Sequence, residues 1–308
     1  MEIALQFVLL ALGFVMLAKG ADWFVEGAAG IAMRFGIPQL VIGLTIVAMG
    51  TSAPEAAVSI AAAVKGNADI TIGNIVGSNI LNILVILGLA ASIVPIAVAR
   101  STVRIEIPFM IAVTALLFYQ GRGGSISLAD GGVLMVAFAV YMMYLYTMAM
   151  KSNVDSDLEE PGLPLGRCLL GAVGGLALII AGSNVTVGAA TSIATYAGLS
   201  ERFIGLTIVA LGTSLPELFT SVAAARRGNA DIAIGNIVGS NIFNILFVVG
   251  LSSLIIDIPF ASAFNFDTYV ALGAAVLLLL CVLRTQKLQR WAGALMLVCY
   301  AAYLGYIL

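Results

Sequence analysis

Two glutamates stand in the same local context, Gly50-Thr51-Ser52-Ala53-Pro54-Glu55 and Gly212-Thr213-Ser214-Leu215-Pro216-Glu217. Both fall deep in apolar stretches, where a charge costs at least about 2.5–3.5 kcal/mol. Every Lys and Arg lies near the end of such a stretch, so no fixed ion pair neutralises them. Two carboxylates without a protein cation require protons or bound metal ions. Their neighbours favour metal. A proline inside a helix lacks an N–H donor and clashes with the carbonyl four residues back, here that of Gly50 or Gly212, so each helix is expected to break. A break frees backbone carbonyls, which at membrane depth must be buried in protein or line a wet cavity. Carbonyls, two hydroxyls and a carboxylate form an oxygen-rich site suited to hard cations such as Na⁺ and Ca²⁺.

A second motif supplies an opposing wall. In Gly73-Asn74-Ile75-Val76-Gly77-Ser78-Asn79-Ile80-Leu81-Asn82, the residues Asn74, Ser78 and Asn82 recur every fourth position and share one helix face. The later copy repeats this with Asn236, Ser240 and Asn244. We read Ser78, Asn82, Ser240 and Asn244 as further cation ligands. Asn79 and Asn241, off that face, are read as interhelical hydrogen-bonding residues. The pairs Gly73/Gly77 and Gly235/Gly239 allow a neighbouring helix to approach closely. Two ionised glutamates give the site a charge of −2, which one Ca²⁺ balances and three Na⁺ overshoot by one.

The elements that position these residues follow from composition. Of 308 residues, 61% are hydrophobic and 10% charged, and mean hydropathy is +1.11, the profile of a membrane protein. Breaker residues divide the chain into ten expected spans, near 3–21, 38–64, 70–95, 103–120, 127–150, 166–192, 202–225, 232–256, 267–284 and 290–308. Residues 43–84 align without a gap to 205–246, with about 32 of 42 positions identical at an offset of 162. Weaker matches continue upstream, such as Gly13 with Gly175 and Gly20 with Gly182. We therefore expect an all-α membrane protein of two five-helix repeats, 1–150 and 165–308, joined by a cytoplasmic linker, 151–164, with spans 2 and 7 broken. Five is odd, so the repeats are expected to be inverted, the arrangement of many secondary transporters. With the N-terminus outside, eleven of the 14 Lys and Arg residues lie on the cytoplasmic side, and the C-terminus is outside too.

At this point the residues resemble a family. The paired Gly-Thr-Ser-x-Pro-Glu and Gly-Asn-x-x-Gly-Ser-Asn blocks are similar to the two alpha-repeats of the cation/calcium antiporter superfamily, in particular its sodium/calcium exchanger branch of prokaryotic type. The resemblance covers essentially the whole chain. It implies that spans 2, 3, 7 and 8 form a core around sites for Na⁺ and Ca²⁺, against which spans 1 and 6 slide to alternate access. Carried over by motif position, the ligands are Thr51, Ser52, Glu55, Ser78 and Asn82 from the first repeat, and Thr213, Ser214, Glu217, Ser240 and Asn244 from the second. The backbone carbonyls of Ala48 and Ala210 complete the set, and Glu55 and Glu217 are the shared Ca²⁺ ligands. Some members carry Asp where this chain has Asn244, which leaves two carboxylates rather than three.

The expected activity is exchange of Na⁺ for Ca²⁺ by a monomer in a prokaryotic plasma membrane. Ca²⁺/H⁺ or K⁺-dependent Na⁺/Ca²⁺ exchange are the alternatives, and a cation channel is a more distant one. Partners are the ions and membrane lipids; no cofactor and no nucleic acid is expected, since the basic residues are scattered. Absence of His-Glu-x-x-His and Gly-x-Ser-x-Gly argues against an intramembrane enzyme. His is absent, and Cys168, Cys281 and Cys299 are far apart in sequence, which argues against zinc and disulfide chemistry. Glu2 stands where a signal peptide carries positive charge, so the N-terminus reads as a retained helix. Asp155, Asp157, Glu159 and Glu160 read as a solvated linker, Asp69 and Asp231 as helix N-caps, and Trp23, Trp291 and Tyr306 as interfacial anchors.

Overall fold

The computed structural model describes residues 2–66, 68–152, 163–198 and 210–307. Helices dominate, as a bilayer requires when every backbone polar group must be satisfied within the chain. The first half comprises α1 (Glu2–Phe35), α2 (Gln39–Thr51), α3 (Ala53–Val64), α4 (Thr71–Ile93), α5 (Thr102–Gly121) and α6 (Leu128–Ser152). The second comprises α7 (Leu165–Tyr196), α8 (Ala210–Thr213), α9 (Leu215–Arg226), α10 (Ala230–Ile255), α11 (Phe264–Val282) and α12 (Arg290–Ile307). Among the described residues, eight helices are long and apolar enough to cross a membrane, and the bent pair α2–α3 makes a ninth. The start of the expected seventh span, residues 202–209, and the acidic linker residues Asp155, Asp157, Glu159 and Glu160 lie outside the described residues.

Equivalent elements of the two halves contact one another reciprocally. Gly13 of α1 abuts Gly182 of α7, and Gly20 abuts Gly175. Since Gly13 is the counterpart of Gly175 and Gly20 that of Gly182, the two equivalent helices cross antiparallel about a two-fold axis. A Cβ on Gly175 would lie 2.7 Å from the Gly20 carbonyl oxygen and 2.9 Å from the Phe24 Cα, so the backbones themselves touch. Four short strands obey the same symmetry: β1 (Ile96–Ala97) pairs antiparallel with β4 (Lys287–Leu288), and β2 (Ser125–Ile126) with β3 (Ile258–Pro259). Each strand thus finds its ladder partner in the other half.

Two helices differ from the sequence expectation. Apolar patterning ends the first span near residue 21, yet α1 runs 34 residues to Phe35, and α7, 32 residues long, ends at Tyr196, four residues past the expected end at 192. At about 1.5 Å per residue both exceed a hydrocarbon core of roughly 30 Å. Asp22 and Glu26, which mimic a span end in sequence, are accommodated because their side chains stay exposed, and Arg227 reaches both there, at 3.2 and 3.3 Å. Asp231 is the second residue of its helix and not the cap; Asn229 holds the capping position and makes no side-chain cap bond. For Asp69, only the backbone is described, at the start of a helical segment. Trp23, Trp291 and Tyr306 are exposed on the outer surface, and the three cysteines are free.

The core lies between the two halves. Helix α10 is almost wholly enclosed and α4 largely so, whereas α1, α6 and α12 leave most of their apolar surface outward, where lipid would cover it.

Candidate cation site

The break expected at the proline motif is present. Between α2 and α3 the chain bends by 51°, with Ser52 at φ −82°, ψ 6°, off helical geometry. Ser214, between α8 and α9, adopts nearly the same angles, φ −89° and ψ 3°. Pro54 and Pro216 then fall in the first turn of the following helix, where a missing N–H removes no intrahelical bond. Glu55 and Glu217 occupy that same first turn, at the helix end whose unpaired N–H groups favour a negative charge. Both side chains are 1% exposed.

The two halves exchange hydroxyl donors across the site. Ser52 Oγ donates to Glu217 Oε1 at 2.8 Å, and Ser214 Oγ donates to Glu55 Oε1 at 3.4 Å. Each carboxylate is therefore bound by the serine of the opposite repeat, and the two acids are near enough to feel each other's charge. Among the described residues, only Arg227 forms ion pairs, with Asp22 and Glu26, so neither glutamate has a basic partner.

Helices α4 and α10 fix the surrounding frame. Asn74 Nδ2 donates to the Glu55 carbonyl at 3.3 Å and to Ser59 Oγ at 2.9 Å; Asn236 Nδ2 does the same to the Glu217 carbonyl and Ser221 Oγ, at 3.4 and 2.9 Å. Deeper in, Asn79 Nδ2 donates to the Asn241 carbonyl and Asn241 Nδ2 to the Asn79 carbonyl, both at 3.2 Å. Asn82 Nδ2 donates to Asn241 Oδ1 at 2.9 Å, and Asn244 Nδ2 to Asn79 Oδ1 at 3.1 Å. Both amides of the Asn82/Asn244 pair are thereby oriented. Their Oδ1 atoms are left buried and without hydrogen-bond partners, as are Glu55 Oε2 and Glu217 Oε2. Four unsatisfied oxygens related by the two-fold are costly to bury dry and are fitted to cation coordination. Asn82 and Asn244 also each open a π-helical segment, Asn82–Leu87 and Asn244–Val249, a local widening of the helix often found at functional sites.

The remaining candidates distribute as follows. Thr51 Oγ1 donates to Asn236 Oδ1 at 2.9 Å, with the Val47 and Ala48 carbonyls alternative acceptors at 3.1 and 3.3 Å. Ser240 Oγ donates to the Ala48 carbonyl at 3.4 Å, joining two more of the expected residues. Ser78 is buried. Thr213 closes α8, and Ala210 opens it. Sequence spacing placed Asn74 and Asn236 on the ligand face but gave them no task; the structure has them clamp the backbone that bears the glutamates. Spacing also overlooked Glu106, which is fully buried within α5, because it lies only four residues from the start of that helix.

The profile of the sodium/calcium exchanger protein family matches residues 5–147 and 168–308. Among similar proteins, a putative antiporter CaxA of Alkalimonas amylolytica is 41% identical, the match covering 99% of this chain and 98% of that one. The sodium/calcium exchanger MaX1 of Methanosarcina acetivorans is 33% identical, covering 98% of both. A solved structure of the sodium-calcium exchanger NCX_Mj superposes with a TM-score of 0.86 at 34% identity, over 98% of this chain and 99% of that one. With the reciprocal halves and the paired buried glutamates, these matches place the chain, an integral membrane protein of cation/calcium exchange, in the sodium/calcium exchanger protein family.

Proposed function

We propose that the protein is a Na⁺/Ca²⁺ antiporter working by alternating access, with residues 1–150 and 165–308 as inverted halves around one shared site. Glu55 and Glu217 bridge Ca²⁺. Thr51, Ser52, Ser78, Asn82, Thr213, Ser214, Ser240, Asn244 and the carbonyls of Ala48 and Ala210 complete the coordination of Ca²⁺ and Na⁺. The observation that carries this reading is the set of four unsatisfied buried oxygens, on Glu55, Glu217, Asn82 and Asn244, with no basic side chain paired to the acids among the described residues. A −2 site meets one Ca²⁺ in charge, while several Na⁺ replace it at a similar number of oxygens. The reading places the protein in a prokaryotic plasma membrane with both termini outside, following the Lys and Arg distribution.

Reconstituted vesicles test it. Radiolabelled Ca²⁺ uptake is expected to follow an outward Na⁺ gradient, and Glu55→Gln or Glu217→Gln is expected to abolish it while the protein stays folded in detergent. Uptake driven by a pH gradient with no Na⁺ present would establish Ca²⁺/H⁺ exchange instead, and a requirement for added K⁺ would establish the K⁺-dependent variant. Folded variants with normal exchange would remove the glutamates from the site.

A further inference from the structure

Glu106 is a third carboxyl buried within an apolar span, and cation exchange at the Glu55/Glu217 site has no part for it. Its side chain is fully enclosed. Oε1 accepts a hydrogen bond from the Tyr144 hydroxyl of α6. Oε2 has no partner, and neither has Thr102 Oγ1, one turn earlier on the same helix, nor the hydroxyl of Tyr141, whose ring lies close enough to sense the Glu106 charge.

The groups around it are all neutral or acidic. Tyr141 and Tyr144 are the titratable groups that face it from α6. Helices α10 and α11 also pack against α5; they carry Asp231, Asp267, Tyr269 and Cys281, none of which acts on the Glu106 carboxyl. Arg100 and Arg104, nearest in sequence, point outward and are exposed. The second half shows that the fold does not need an acid here. The equivalent position, 162 residues on, is Thr268, which is equally buried and donates to the Phe264 carbonyl at 2.7 Å.

A lone buried carboxylate among hydroxyls carries at most one negative charge, and in apolar surroundings such a group is neutralised rather than left bare. Hydroxyls both donate and accept, so Thr102 and Tyr141 can receive a hydrogen bond from an O–H on Oε2 while Tyr144 continues to donate to Oε1. We propose that Glu106 is a proton-binding site, distinct from the Glu55/Glu217 centre, at which one proton rides on Oε2 and keeps the α5–α6 contact uncharged. Raising the pH transfers that proton to solvent and leaves an uncompensated charge between the two helices.

Infrared spectroscopy on the full-length protein with saturating Ca²⁺ tests this. The wild type is expected to show a protonated-carboxyl C=O band near neutral pH that disappears on alkalinisation and is missing from Glu106→Gln. The difference between those two spectra isolates Glu106 whether or not Glu55 and Glu217 bind Ca²⁺, so failure of the exchange reading leaves this test intact. Tyr144→Phe, which keeps the ring and removes the donor to Oε1, is expected to move the same band to higher frequency, and this checks the assignment even if the Gln variant does not fold. Absence of the band in wild type, its persistence unchanged in Glu106→Gln, or an unshifted band in Tyr144→Phe would overturn the proposal. Loss of the band on adding Na⁺ or K⁺ at fixed pH would overturn it in favour of a monovalent metal site.

Discussion

The asparagine interlock between α4 and α10 gives the sharpest energetic prediction. Asn79→Leu removes two hydrogen bonds, its donation to the Asn241 carbonyl and its acceptance from Asn244 Nδ2. Asn241→Leu removes the two related ones, to the Asn79 carbonyl and from Asn82 Nδ2. Interhelical hydrogen bonds in membranes average about 0.6 kcal/mol and reach about 1.7, so each substitution is expected to destabilise by roughly 1–3 kcal/mol. The two values should agree within about 1 kcal/mol, because the two-fold makes the environments equivalent. A double-mutant cycle separates the contacts. Asn79 with Asn244, and Asn82 with Asn241, share a side-chain pair and should show coupling of about 0.6–1.7 kcal/mol. Asn79 and Asn241 bond only to each other's backbone, so that pair should be close to additive. Reversible unfolding in detergent without Ca²⁺, followed by tryptophan fluorescence, measures all three cycles. Strong coupling between Asn79 and Asn241, with none in the other two pairs, would refute this account of the core.

Other perturbations address the α1–α7 crossing and the peripheral ion pairs. Gly175→Leu, which drives a side chain into the Gly20 carbonyl and the Phe24 backbone, should destabilise by about 1–3 kcal/mol as overpacking does and should abolish Ca²⁺ exchange. Gly174→Leu, with nothing within 4 Å of its Cβ, should be tolerated in the same thermal-unfolding and uptake assays. Arg227→Gln breaks the contacts to Asp22 and Glu26, whose side chains are 42% and 43% exposed. Exposed ion pairs contribute about 0–1 kcal/mol, so the unfolding midpoint should move little, and any loss should shrink with added salt.

The linear sequence by itself determined the membrane class, the repeat and the location of the two helix breaks. These are local or periodic properties: hydropathy over a span, an offset of 162 that holds without a gap, and a proline that cannot continue a helix wherever it is placed. It also marked Glu55 and Glu217, because an acid in an apolar stretch is expensive regardless of what surrounds it. Sequence could not say that Ser52 serves Glu217 rather than Glu55, that Asn79 grips the backbone of Asn241, or that Arg227 shields acids more than 200 positions away. Those contacts depend on the two halves meeting about a two-fold axis, which brings distant segments together at distances no local pattern encodes. The same holds for α1, where Asp22 and Glu26 read as a helix end until a partner from the other half is supplied, and for Glu106, whose burial is decided by where α6 lays Tyr141 and Tyr144. Chain chemistry chose the oxygens; tertiary packing chose which of them are left unpaired.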